Sequence, residues 1–357
     1  MITRRYLRAK AVEECYSFAI YENVLHDLAV DNFVSEAKFH ELYFKDNPDY
    51  NKIDLAEILV SFDKLINTSI PTADSLTSVN PFYYEFLQPA LHYYNEELSK
   101  HVTKLKQGLS TEIDQVYTLY RLFFLILVEK KAAPLRNKNF YSPLIKEYLQ
   151  KEEGWSLPDE FGELLLTHLY DTVLPEDEFI QNYLSTTNNT KKDDIDILKH
   201  IVKNVLLKDF KSLEILEENL ANFRKHKTLA LRKFLSALKK LSSSDNDLSL
   251  VFSKKNIQAD YDNNFYLTLI THFLNYKPYY NKLINEKAKN YDIEKVALLD
   301  RVIINLALCE IFHCKDIPTN VSINEYIEIS KMYCSQHSTR FINAIIDGIL
   351  ALQEAAK

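Results

Sequence analysis

Glycine occurs four times in 357 residues, where average usage would give about 25. Gly108, Gly154, Gly162 and Gly348 stand alone, with no two closer than eight residues. Dinucleotide fingerprints, Walker loops and nucleophile elbows all need closely spaced glycines, because the backbone must approach a phosphate or turn sharply there. This chain can build none of them. Most nucleotide-dependent enzymes and α/β-hydrolases are excluded on that ground.

The hydrophobic pattern is helical nearly throughout. Segments 52–66, 81–107, 110–132, 192–207, 227–241, 261–288, 295–314, 323–334 and 339–353 place apolar residues at i, i+3, i+4 and i+7, and no stretch alternates over strand length. Breakers separate them at Ile70-Pro71-Thr72, Ala133-Pro134, Ser185 to Thr190 and Ser242 to Asp247, the last two reading as flexible linkers. No repeat of solenoid period is legible. The expected fold is all-α, and the length suits two or three domains.

Four cysteines make no disulfide framework in a chain of this size, which predicts a reducing, cytoplasmic setting. The basic start is followed by Glu13-Glu14, so no signal-peptide core develops. The longest apolar run, Leu122 to Val128, is far short of the ~20 residues of a membrane span. Neither a membrane nor a cofactor is expected.

Charge is uneven within a net of −7. Residues 24–258 hold 29 bases and 35 acids, so nucleic acid would be repelled over most of the chain and its binding must be local. At the N-terminus Arg4, Arg5, Arg8 and Lys10 all precede the first acid, Glu13. On a helix Leu7, Ala11, Cys15 and Phe18 form one apolar stripe, and Arg4 and Arg8 prolong that side. A basic first turn opposes the helix dipole and favours an anionic partner.

Towards the C-terminus Asp316-Ile317-Pro318 ends a helix. Ser322-Ile323-Asn324-Glu325 then reads as a capping box starting a new one at Ile323, with Asn324 bonded to backbone or exposed. Ser338 reads as the cap of the last helix, whose Phe341, Ile342, Ile345, Ile346, Ile349 and Leu350 form a face wide enough to need two neighbours.

Several motifs now stand in register: Asp300-Arg301, the apolar run ending Leu306-Ala307-Leu308-Cys309-Glu310, Asp316-Ile317-Pro318, Val321 to Lys331, and Ser338 with Phe341-Ile342-Asn343. Together with Phe265 to Asp292, and with Arg4-Arg5, Arg8 and Tyr16-Ser17 at the other end, they resemble the NusB transcription antitermination family. The chain resembles the family's long form, in which a helical region separates the first helix from the C-terminal half.

The resemblance implies a NusB-like bundle over 259–357 closed by the basic helix 1–23, with 24–258 as a helical insertion. It implies a non-enzymatic factor that binds boxA-type single-stranded RNA together with the ribosomal protein NusE, within the RNA polymerase antitermination complex of ribosomal RNA synthesis. The RNA-binding residues it implies are Arg4, Arg5, Arg8, Tyr16, Ser338, Phe341 and Asn343, the arginines lying close to the final helix. Ser322, Asn324 and Glu325 are structural. The sequence departs from the family pattern at Cys15, Cys309, Ala344 and the stretch Tyr333 to His337.

Other readings of particular residues are weaker. Cys309/His313 and Cys334/His337 have ligand-like helical spacing, but Cys309 falls on the apolar stripe with Leu306 and Val302 and no Cys-x-x-Cys knuckle exists, so no metal is expected. Glu13/Glu14, Glu152/Glu153 and Asp193/Asp194 adjoin polar neighbours rather than a pocket that would raise a pKa. The aromatics at 82–86 and 91–94 lack flanking bases and read as helix-interface residues. NusB-like domains also occur fused to RNA methyltransferases, an arrangement that lacks its Gly-rich cofactor loop here. An alternative reading keeps the bundle as a protein-interaction scaffold without RNA binding, with acidic 24–258 as its working part.

Overall fold

Helix α1 (Arg4–Phe44) is a single helix of 41 residues with two different buried faces. Its first half buries Leu7, Ala11, Cys15 and Phe18, the expected stripe. Its second half repeats small and large apolar residues every four positions, Leu25, Ala29, Phe33 and Ala37. These pack with Ile58, Phe62 and Leu65 of α2 (Leu55–Ile66) and with Leu87, Ala90, Leu91 and Tyr94 of α3 (Pro81–Val128). The sequence boundary at residue 23 therefore falls inside a helix.

The computed structural model describes residues 2–44, 54–66, 81–128, 159–242, 252–288 and 296–355. The connections expected at Ile70-Pro71-Thr72 and Ala133-Pro134, most of the 242–247 linker, Glu152/Glu153, the end of the stretch Phe265 to Asp292 and the side chains of 82–86 lie outside the described residues. Among the described residues there is no strand, and no helix is long and apolar enough to cross a membrane. The chain divides into two compact units, one of residues 3–108 and 262–357, the other of 1–2 and 109–261.

In the first unit the C-terminal helices are α10 (Asn263–Lys287), α11 (Leu298–His313), α12 (Thr319–Tyr333) and α13 (Gln336–Ala355). Helix α11 is buried all round, with Val302, Ile303, Ile304, Leu306, Ala307 and Leu308 closed off from solvent. A helix with no polar face needs neighbours on every side. Helices α1, α10, α12 and α13 supply them. The bundle is closed by the N-terminal helix, as expected. The segments expected at 81–107 and 110–132 are continuous in one helix, α3, as far as Val128, the last described residue there. It carries Gly108 where a Cβ would come within 3.0 Å of both Glu14 and the Tyr266 hydroxyl.

Two expected caps are corrected. Helix α12 begins at Thr319 behind Pro318, not at Ile323, and the Ser322 amide donates to the Pro318 carbonyl (3.2 Å), already inside the helix. The Ser322 hydroxyl is buried and donates to Glu310, while Glu325 is drawn off to Arg5, so no capping box forms. At α13 the cap is Ser335, whose Oγ accepts from the Ser338 amide (3.1 Å).

The second unit contains, besides the rest of α3, helices α4 (Asp159–Thr167), α5 (Glu178–Ser185), α6 (Lys191–His200), α7 (Phe210–Asn219), α8 (Phe223–Ser242) and α9 (Lys254–Gln258). Thr190 begins α6 with a capping box to Asp193, which fits the connection expected at 185–190. A repeat that the sequence hides appears here. His168 opens one π-helical turn (His168–Val173) and His200 immediately precedes another (Ile201–Leu206). Nine residues after each histidine stands an aspartate, Asp177 or Asp209, that caps the next helix by accepting the Ile180 or Ser212 amide. Leu169/Ile201, Leu174/Leu206 and Tyr183/Ile215 are buried at the same 32-residue step. The polar pairs cross between the copies: His168 Nε2 lies 2.7 Å from Asp209, and His200 Nε2 lies 3.0 Å from Asp177.

Burial raises the pKa of Asp177 and Asp209, but histidine and backbone hydrogen bonds outweigh it and hold both below the usual carboxylate value. A carboxylate with a depressed folded pKa stabilises above its unfolded value, about 3.9, and that contribution is lost as pH falls through the folded one. Amide exchange at the starts of α5 and α7 should therefore accelerate as pH drops below about 4. In Asp177→Asn and Asp209→Asn proteins that acid-dependent step should vanish. An unchanged pH profile in both variants would show that the crossed pairs hold nothing in place.

Candidate functional site

The basic start of α1 lies against acids of its own chain. Arg8 is buried and forms a two-pronged pair with Glu310: Nε donates to Oε2 and Nη2 to Oε1, each at 2.7 Å. Ser322 donates its hydroxyl to the same carboxylate at 2.6 Å. Arg5 makes the same fork with Glu325 at 2.7 and 2.8 Å, and Glu325 also lies 3.5 Å from Arg8. Arg4 reaches Asp262, the N-cap of α10, at 3.1 Å and Asp316 at 3.0 Å. The guanidinium carbons of Arg4 and Arg8 stand 5.0 and 5.3 Å from the Phe265 ring centroid, within cation–π range.

Three guanidiniums thus meet four carboxylates, so the first turn of α1 is electrostatically closed. Desolvation works most strongly against the charge of Arg8, but its hydrogen bonds to Glu310 and the attraction of Glu310 and Glu325 together outweigh it and its pKa is raised. Glu325 is held below the ordinary carboxylate range, first by its hydrogen bonds from Arg5. The Tyr326 hydroxyl is buried beside this network, and burial pushes its pKa well up.

Helices α1 and α12 run parallel and in step. Arg5 meets Glu325, and eight residues further along each helix Glu13 accepts a 2.8 Å hydrogen bond from Tyr333. Eight residues are about 12 Å of helix. Arg5 therefore stands beside the middle of α12 and Glu13 beside its last residue, just before α13 begins. Of the residues grouped from sequence, Arg4, Arg5 and Arg8 come together with acids, while Ser338, Phe341 and Asn343 lie in the first half of α13, where Thr339 meets Ser330 of α12. Phe341 is buried. Ser338 is half-buried in the α13 cap, Asn343 donates to Asp347 at 2.9 Å, and Tyr16 is half-buried. Asn324 is exposed.

Sequence reasoning missed Asp262, Glu310 and Asp316 as partners of the arginines. A signal existed for Glu310: a lone carboxylate closing an apolar helix has to be paired if it is buried. Among the described residues no group of three His, Cys, Asp or Glu side chains could hold a metal. Cys309 is buried, its pKa raised by desolvation. His313 stacks on His272 with ring centroids 3.8 Å apart.

An all-α bundle closed by its own N-terminal helix through a buried Arg–Glu fork is the class of protein these observations define. A sequence profile of the NusB family matches residues 224–351. Over 92 residues the chain is 34% identical to the transcription antitermination protein NusB of Bacillus mycoides, a match covering 26% of this chain and 71% of that protein. The proteins of the same name from Pelotomaculum thermopropionicum and Geotalea uraniireducens are 43% and 46% identical over 74 and 69 residues, 21% and 19% of this chain. Those matches span about half of each relative, 51% and 48%. No solved structure shows significant similarity. The chain belongs to the NusB family.

Proposed function

We propose that the protein is a non-enzymatic antitermination factor that binds boxA-type single-stranded RNA together with the ribosomal protein NusE, in the service of RNA polymerase on ribosomal RNA operons. The observation that carries this reading is family membership over the C-terminal bundle, in a molecule whose basic first helix docks on that bundle. Net charge supports the need for a partner: at −7 the chain repels RNA at long range, and a basic ribosomal protein offsets that field.

Within this reading the seven residues do not act alike. Arg4 and Arg5 are partly exposed and would exchange a carboxylate for a phosphate or stack on a base, with Tyr16, Ser338 and Asn343 along the RNA path. Arg8 and Phe341 would support that surface from below. The test is affinity for a boxA RNA and a scrambled RNA, with and without NusE, for wild type and an Arg4→Ala/Arg5→Ala protein. Preference for boxA should appear only with NusE, and the double variant should lose about 1.4 in the slope of log affinity against log salt. If NusE does not bind and boxA is not preferred, the scaffold reading takes its place. The acid pairing of the arginines is the observation that favours that alternative.

A further inference from the structure

Helix α8 carries seven lysines and arginines and no acid, whereas every other described helix of ten or more residues has at least one acid. Its inner face is apolar, with Phe223, Ala230, Phe234, Ala237 and Leu238 buried. The row spaced by four residues, Arg224, Thr228, Arg232, Ser236 and Lys240, is exposed from end to end, and Lys239 is exposed beside it. At ~1.5 Å per residue the row is about 24 Å long.

We propose that this row is a docking surface for the sugar-phosphate backbone of single-stranded RNA, a grip separate from the first helix. Its composition is that of backbone contact: arginine and lysine interleaved with hydroxyl side chains, which fix a strand without reading its sequence. A protein partner would need an apolar anchor, and none of the large hydrophobics exposed on the described surface belongs to α8. The surrounding chain, net −7, steers a polyanion away from other faces and towards this one. Glu217 pairs with Arg224 at 2.5 Å and Glu112 lies 3.9 Å from Lys225. Arg224 is 80% exposed, and an exposed pair of this kind is weak enough to open to a phosphate.

Only the choice of RNA over other polyanions rests on the proposed function. The experiment uses the full chain without NusE and a short unstructured RNA that lacks boxA, so boxA recognition can fail while this surface stands. Anisotropy titrations over a range of salt compare wild type with an Arg232→Gln/Lys239→Gln/Lys240→Gln protein. Three lost phosphate contacts should lower the slope of log affinity against log salt by ~2, with helical content unchanged. A Lys239→Arg/Lys240→Arg protein should keep the wild-type slope. Parallel salt plots for wild type and triple variant, or no wild-type binding at low salt, would overturn the proposal. So would a triple variant that loses binding of poly-glutamate but not of RNA, since the occupant would then be an acidic polypeptide.

Discussion

Replacing Glu310 with Ala should destabilise the bundle by about 3–5 kcal/mol, the usual result of removing one partner of a buried ion pair. The side chain is fully enclosed, and it accepts both prongs of Arg8 and the Ser322 hydroxyl. Without it the Arg8 guanidinium is left inside the molecule with the Phe265 ring and with Glu325, 3.5 Å away and already forked to Arg5. Denaturant midpoints with unchanged slope would measure the loss. The matched apolar replacement, Arg8→Met with Glu310→Leu, should recover most of it, because the penalty comes from the orphaned charge more than from the missing attraction. Ser322→Ala should be milder, near 1 kcal/mol. A Glu310→Ala protein within 1 kcal/mol of wild type would mean that water reaches Arg8 and that the fork does not close the bundle.

The same network explains what the sequence could and could not reveal. The stripe Leu7, Ala11, Cys15 and Phe18 was legible because helical periodicity reports which residues leave water, and all four are buried. The destination of a charge is not periodic. The helical wheel points Arg4 and Arg8 past the apolar stripe towards an anion, and the structure keeps them on that side. The anions they reach are carboxylates about 260 to 310 residues away in sequence. Ser322 and Glu325 satisfy the spacing of a capping box, yet a local motif competes with distant partners. Here the Arg–Glu pairs are stronger than a bond to a helix-end amide.

Averaging also concealed signal. Over residues 24–258 the charge sums to −6, which hides α8 and its seven bases among acidic neighbours. The 32-residue repeat escaped for a related reason. Its copies share one His, one Asp and a few buried aliphatic positions, and only the crossed hydrogen bonds make those residues stand out. Family motifs located the C-terminal bundle well because they mark its buried junctions. They could not show that α1 continues past residue 23 into a second apolar core.

That second core sets the last large effect. Phe62 is fully buried between α1, α2 and α3, with its ring centroid 5.2 Å from Phe33 and 6.1 Å from Tyr94. Phe62→Ala should cost about 3–5 kcal/mol, the transfer term plus the cavity it leaves. The site of the loss matters as much as its size. If 24–258 were an insertion folding on its own, protection would fall within its helices alone. In the structure residues 3–108 and 262–357 form one unit, and α1 presents Leu25, Ala29 and Phe33 to this core on the same helix that buries Leu7 and Ala11. A continuous helix shared by two cores couples their unfolding. Amide exchange in α11 should therefore accelerate together with exchange in α2, although no atom of α11 belongs to the Phe62 cluster. Exchange confined to residues 25–98, with α11 as protected as in wild type, would detach the insertion from the bundle and restore the boundary near residue 23.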